Sequence, residues 1–162
     1  MQKEEAFVQL IKQHQALIFK VSALYTDLKQ DQNDLYQDIV YQLWKSFDSF
    51  RSESKVSTWM YRVALNTAIG QLNKRKRRPN EVSLEMVNLY KGEEYDTLQE
   101  ERIRLLHQQI QKLNIIERGI ILLVLEGKKH EEIAEITGFT TTNVGTRISR
   151  IKEKLKTEMI NK

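Results

Sequence analysis

The stretch HEEIAEITGFTTTNVGTRISRIKEKL, residues 130–155, decides how this chain is read. Ala134, Gly138 and Val144 stand where two short helices would cross at a tight turn. The small Ala134 lets the second helix pass close to the first. Gly138 supplies the positive φ that ends the first helix. Val144, Ile148, Ile151 and Leu155 come at steps of four, three and four, which makes a buried helical stripe. Thr140 is placed to cap the second helix. The opposite face carries Thr141, Thr142, Thr146, Arg147, Ser149 and Arg150, with Lys152, Lys154 and Lys156 behind. Short polar side chains ahead of a basic tail suit base edges and flanking phosphates. A plain helical hairpin needs neither this three-point spacing nor a basic exposed face.

Upstream of this helix-turn-helix, residues 115–126 are almost continuously apolar. A strand is the alternative, but the length and the helical surroundings favour a buried helix ending at Gly127. A further helix from about Thr97 turns Leu98, Leu105, Leu106, Ile110 and Leu113 inward. Residues 79–95 show no sustained period and read as a linker, averaging roughly 20–25 Å end to end as a flexible coil. Charge marks the same division. Residues 1–78 hold 13 basic and 8 acidic side chains, residues 79–106 hold 3 and 7, and residues 107–162 hold 10 and 7. Two basic modules flanking an acidic segment suggest two contacts with one polyanion, joined by a stretch that avoids it.

The amino-terminal module reads as three helices. Phe7, Leu10, Ile11, His14, Leu17, Ile18, Val21, Leu24 and Tyr25 form one stripe over residues 4–25, with His14 a packed residue. Residues 26–33 read as a connection. A second helix runs from Asp34, which favours its N-terminus, to Phe47, with Ile39, Val40, Leu43 and Phe47 inward. After a polar loop over 48–55, a third helix runs from Val56 or Ser57 to Arg77, with Met60, Val63, Ala64 and Thr67 inward. Pro79 stops it. Lys74, Arg75, Lys76, Arg77 and Arg78 close this helix. Five consecutive cations exceed what the helix dipole needs and favour a polyanion. Trp59 and Tyr61, upstream, could stack on unpaired bases. Asp34 and Asp38 share a helix face, but no third ligand is visible, so they read as a partner-facing pair and not as a metal site.

Composition excludes several classes. There is no cysteine, so neither a disulfide framework nor a thiolate metal site is available. One proline and six glycines disfavour a turn-rich β fold. No apolar run approaches the roughly 20 residues that span a bilayer. The start lacks the pattern of a secretion signal, which points to the cytoplasm. No phosphate-binding loop, nucleophile elbow or H-E-x-x-H motif is present, so neither an enzyme nor a cofactor is expected. The fold class is all-α: two small helical domains over 1–78 and 96–162, joined by an acidic linker over 79–95, with a helix-turn-helix in the second.

These segments resemble a bacterial RNA polymerase sigma factor of the extracytoplasmic-function group. Asp34-Leu35-Tyr36-Gln37-Asp38, Leu43-Trp44 and Phe50-Arg51 look like the family's region 2.2 and the stretch just after it. Trp59 to Asn66 and the basic run look like regions 2.3 and 2.4, and Leu113 to Lys156 looks like region 4. The resemblance implies that Asp34, Leu35, Gln37, Asp38, Leu43 and Trp44 dock on core RNA polymerase. It implies that Arg51, Ser54, Lys55, Trp59, Arg62 and Asn66 bind and open the −10 element of promoter DNA, with Lys74, Arg75, Arg77 and Arg78 on its phosphates. It assigns Thr141, Thr142, Thr146, Arg147, Ser149 and Arg150 to the −35 element, and allows an anti-sigma protein as a further partner. Two positions depart from the family pattern: Gly70, where many members carry Asp, and Gly145, where many carry Lys or Arg.

Two other readings use the same residues. A stand-alone helix-turn-helix regulator would need a dimer interface or a sensor domain. A nuclease or recombinase would need converging carboxylates or a nucleophile. The sequence shows none of these clearly.

Overall fold

The computed structural model describes residues 2–50, 55–76 and 97–160, without the side chains of 75, 76, 97–99, 159 and 160. The chain divides into two compact units, Met1–Leu89 and Tyr90–Lys162. All regular elements among the described residues are helical. The expected linker over 79–95, and Pro79 with it, lies outside the described residues.

In the first unit, α1 spans Gln2–Gln13, α2 Gln15–Leu24, α3 Lys29–Ser46 and α4 Val56–Lys76, with a 3-10 turn over Phe47–Ser49. The single helix expected over 4–25 is broken at His14, where φ is −122° and ψ 25°. The imidazole Nδ1 sits 3.0 Å from the Leu10 carbonyl, one turn back in α1. On one side of the break Phe7 packs edge-on against Trp44 and Phe47, at 5.1 and 5.3 Å between centroids. On the other, Leu17, Ile18, Val21 and Leu24 are buried, and α2 packs against both α3 and α4.

α3 begins five residues earlier than the sequence suggested. Leu28 precedes it in extended conformation, Asp31 supplies the acidic group of the first turn, and Gln32 is buried. The run Lys29 to Asn33 is polar without being a loop: Gln32 is tucked inward, Asp31 is half-buried and the other three side chains are exposed. Asp34 therefore sits inside the helix and caps nothing. The inward stripe is Leu35, Ile39 and Leu43, with Val40 and Phe47 half-buried. α4 is buried on more than one side: Thr58, Trp59, Met60, Tyr61, Ala64, Leu65 and Ala68 are all inside, whereas Val63 and Thr67 are half-buried. A helix that touches both α2 and α3 has no single apolar face.

In the second unit, α5 spans Thr97–Gln111, α6 Ile115–Leu125, α7 His130–Thr137 and α8 Thr141–Ile160. Asn114 separates α5 from α6 with a capping box: its Oδ1 accepts from Glu117 N at 2.8 Å, and Glu117 Oε1 accepts from Asn114 N at 3.1 Å. α6 is the buried helix that the apolar run predicted, with Ile120 to Leu123 inside, and Gly127 comes after it at φ 80°. In α5, Ile110 and Leu113 beyond its end are buried, but Leu105 is 40 % exposed. α5 packs against α6 and α8, and Leu105 does not turn into that contact, so its expected inward position is corrected. Leu98 lies outside the described side chains.

The helix-turn-helix forms as its spacing predicts. Gly138 has φ 85°, and its N–H reaches the Ala134 carbonyl at 2.8 Å. Val144 and Ile151 are fully buried, Ile148 nearly so, and Leu155 is half-buried. Thr140 Oγ1 accepts from Asn143 N at 3.1 Å, a cap on α8.

Gly70 and Gly145 lie inside helices with ordinary φ. A Cβ on Gly70 would meet nothing within 4 Å, and one on Gly145 would touch the His130 ring at 3.6 Å. Gly70→Ala and Gly145→Ala should each stabilise the fold by about 0.5–1 kcal/mol. Gly138→Ala should destabilise it by roughly 1–2 kcal/mol, because its φ is left-handed. Thermal unfolding of the three variants checks the signs.

Candidate nucleic-acid interface

α8 sets its outward face through its inward one. With Val144, Ile148 and Ile151 fixed against the unit, Thr141, Thr142, Thr146, Ser149 and Arg150 are left exposed. Thr146 Oγ1 donates to the Thr142 carbonyl at 3.1 Å, so its hydroxyl proton is committed and its lone pairs face out. Arg147 is half-buried. Its Nε donates to Asn143 Oδ1 at 2.6 Å, and its guanidinium carbon lies 4.2 Å from the centre of the Phe139 ring. Neither partner was read from the sequence. Asn143 and Arg147 are four residues apart on one helix, a spacing that could have revealed the pair.

The basic tail behind this face is not uniform. Lys152 and Lys156 are exposed. Lys154 is exposed too, but it donates to Glu117 Oε2 at 2.7 Å, tying α8 to the start of α6. The Glu117 side chain is only 10 % exposed. Burial pushes its pKa up, but the Lys154 bond, the Asn114 amide and the nearby charges of Lys154 and Arg147 outweigh burial and hold it below the ordinary value.

In the first unit the outward side of α4 carries Arg62, Asn66 and Lys74, all exposed, with Lys55 exposed just before the helix. Trp59 does not belong to this surface. It is 7 % exposed, with Phe50 stacked on it at 4.8 Å and Phe47 tilted against it at 6.4 Å. Tyr61 is buried as well. Both aromatics fall on the sides of α4 that pack against its neighbours, so neither ring is open to a stacked base in this structure. Arg51, Ser54, Arg77 and Arg78 lie outside the described residues, as does the Arg75 side chain.

On α3, Asp34, Gln37 and Asp38 are exposed. Leu35 and Leu43 are 1 % and 0 % exposed. Leu43 is inward as its place in the helical stripe predicts, Leu35 joins it, and both fix the helix that carries the exposed acids. Trp44 is half-buried, between Phe7 and the Lys3 ammonium 4.5 Å from its ring centre. Gln71 of α4 donates to Asp38. A shallow depression is lined by Asp34, Gln37, Asp38, Gln71 and Lys74. The first lysine of the basic run thus stands beside the acidic face, a juxtaposition across more than thirty residues that spacing alone does not reveal. Among the described residues no group of three or more His, Asp or Glu could hold a metal ion.

Two family models match the chain in order: Sigma-70 region 2 over residues 10–78 and Sigma-70, region 4 over residues 103–155. The chain belongs to the sigma-70 family. Similar proteins place it with the extracytoplasmic-function group. It is 29 % identical to the ECF RNA polymerase sigma-E factor of Haemophilus influenzae, over 96 % of this chain and 88 % of that one. It is 28 % identical to the RNA polymerase sigma-H factor of Pseudomonas aeruginosa, over 94 % and 85 %. The sigma factor SigV of Bacillus subtilis is 27 % identical over 94 % and 90 %. Among solved structures, the sigma factor RpoE bound to the anti-sigma factor NepR from Bartonella quintana shares the fold. Its TM-score is 0.78 at 21 % identity, over 94 % of this chain and 95 % of that one.

The Glu117–Lys154 pair generates two expectations for this sigma factor. Lys154→Gln should leave the salt dependence of holoenzyme binding to promoter DNA unchanged, whereas Lys152→Gln should lower the log–log slope by about 0.9 if Lys152 meets a phosphate. Because the folded pKa of Glu117 is depressed, its contribution to stability is fully present above the ordinary value of 4.5 and lost as pH falls through the folded value. Glu117→Gln keeps the capping box but removes the charge. The gap in Tm between the parent and this variant should therefore narrow as pH drops below 4.5, as calorimetry across the acid range would show.

Proposed function

We propose that the exposed faces of α3, α4 and α8 divide the work of a sigma subunit, which binds core RNA polymerase and directs promoter-specific initiation. α3 docks on the polymerase through Asp34, Gln37 and Asp38, with Trp44 at the edge. α4 offers Arg62, Asn66 and Lys74, joined by Arg51, Ser54, Lys55, Arg75, Arg77 and Arg78, to the −10 element. α8 reads the −35 element through Thr141, Thr142, Thr146, Ser149 and Arg150, with Arg147 on phosphate. The observation that carries this reading is the outward face of α8, held by the buried side chains of Val144, Ile148 and Ile151, inside the segment that matches region 4.

The same reading assigns the rest of the chain. Residues 79–95 join a −10 domain over 1–78 to a −35 domain over 96–162. The chain is not itself an enzyme and works in the cytoplasm, where its polymerase is; no helix among the described residues is long and apolar enough to cross a membrane. An anti-sigma protein is a fitting partner, since two similar solved structures are complexes: CnrH with the cytosolic domain of CnrY, and RpoE with the anti-sigma factor NepR.

The test is transcription by core RNA polymerase with and without this chain. Added protein should produce defined starts on a subset of promoters. No binding to core and no change in start sites would refute the reading. Arg150 lies on the exposed side and can bond a guanine edge bidentately, worth roughly 1–3 kcal/mol of discrimination. Arg150→Ala should relax preference at one or two upstream positions selected from a randomised library. Recovery of the parental consensus would remove Arg150 from the reading face.

A further inference from the structure

We infer that Asn143 and Phe139 are positioning residues that hold Arg147 as a ready-made fork for a DNA phosphate at the edge of the reading face. The inference rests on the assignment of α8 to the −35 element and deepens it. Arginine has no acceptor, so the atom of Asn143 that meets its Nε at 2.6 Å must be the amide oxygen. The Phe139 ring lies against the guanidinium plane, 4.2 Å from centroid to carbon. Phe139 stands in the turn between α7 and α8, so it fixes the arginine from outside its own helix. One contact holds Nε and the other covers the guanidinium carbon. They occupy Nε and one face of the group, and among the described residues the two terminal nitrogens meet no hydrogen-bond acceptor. Two parallel N–H donors in a fixed plane match two phosphate oxygens.

Position favours phosphate over base. Arg147 and Lys154 are two turns apart on the same side of α8, the side whose Lys154 grips Glu117 of α6. Thr146, Ser149 and Arg150 occupy the fully exposed side. The fork therefore sits at the border of the reading face, where a helix lying in a groove meets the backbone. A flexible arginine must lose side-chain freedom when it binds, and this one has already lost it.

The test is a double-mutant cycle on promoter affinity of the holoenzyme, with the salt dependence measured for each variant. Asn143→Ala should weaken binding about 2- to 10-fold, the cost of ordering one long side chain, equally on all upstream sequences and with the salt slope kept. Arg147→Ala should lower the slope by about 0.9. Asn143→Ala should then add nothing in the Arg147→Ala background. Phe139→Tyr should retain parental affinity and Phe139→Leu should lose it, with Tm recorded for both. Asn143 is exposed, so its loss should leave Tm unchanged. A loss from Asn143→Ala that persists without Arg147 would mean that Asn143 touches DNA itself and would overturn the inference. So would an inert Asn143→Ala beside a damaging Arg147→Ala. If Arg147→Ala changes neither affinity nor slope, the phosphate assignment of Arg147 fails together with the inference.

Discussion

α4 is packed on two sides, and that constraint decides what the first unit can offer to DNA. Met60, Ala64 and Ala68 are completely buried, and the small residues let neighbouring helices approach closely. With Trp59, Tyr61 and Leu65 also inside, only a narrow strip of α4 is left to solvent. Arg62, Asn66, Gly70 and Lys74 run along it at steps of four, which places them on one helical line. Gly70 is the one position of this line without a side chain, and a Cβ there would enter open space. The strip is therefore a cation, an amide, a notch and a second cation. Trp59, which a sequence reading offers to the bases, stays under Phe50 as part of the core.

The second unit applies the same rule to a helix buried on one side. The stripe from Val144 to Ile151 fixes the rotation of α8, and the capping box at Asn114 fixes the start of α6 beneath it. Glu117 belongs to both arrangements, with one carboxylate oxygen on its own helix start and the other on Lys154. Replacing it by alanine would release a cap and an interhelical tie at once. The basic tail of α8 is thereby partly spent on structure, and the cations left to DNA are fewer than the sequence suggests.

What was legible in the sequence came from local rules. The turn at Gly138, the Thr140 cap, the α6 core helix and the start of α5 at Thr97 depend on residues within a turn or two of each other. The break at His14 and the early start of α3 were not legible, because a continuous stripe hides a bend and a polar run hides a buried Gln32. Within the site, residue type and spacing found the exposed face of α8 and the acids of α3. They did not separate Asp34 from Leu35, or Arg62 from Trp59, since that depends on which neighbouring helix covers which side. The Gln71–Asp38 and Glu117–Lys154 contacts join residues more than thirty positions apart and belong to tertiary structure alone.

The central claim is that two separate helix faces meet two separate promoter elements. It is tested most directly by photo-crosslinking from a benzophenone side chain placed at Asn66 or at Ser149 in a holoenzyme–promoter complex. Crosslinks from position 66 should fall within the −10 element and those from position 149 within the −35 element. Crosslinks from both positions to the same element, or none to DNA from position 149, would contradict it.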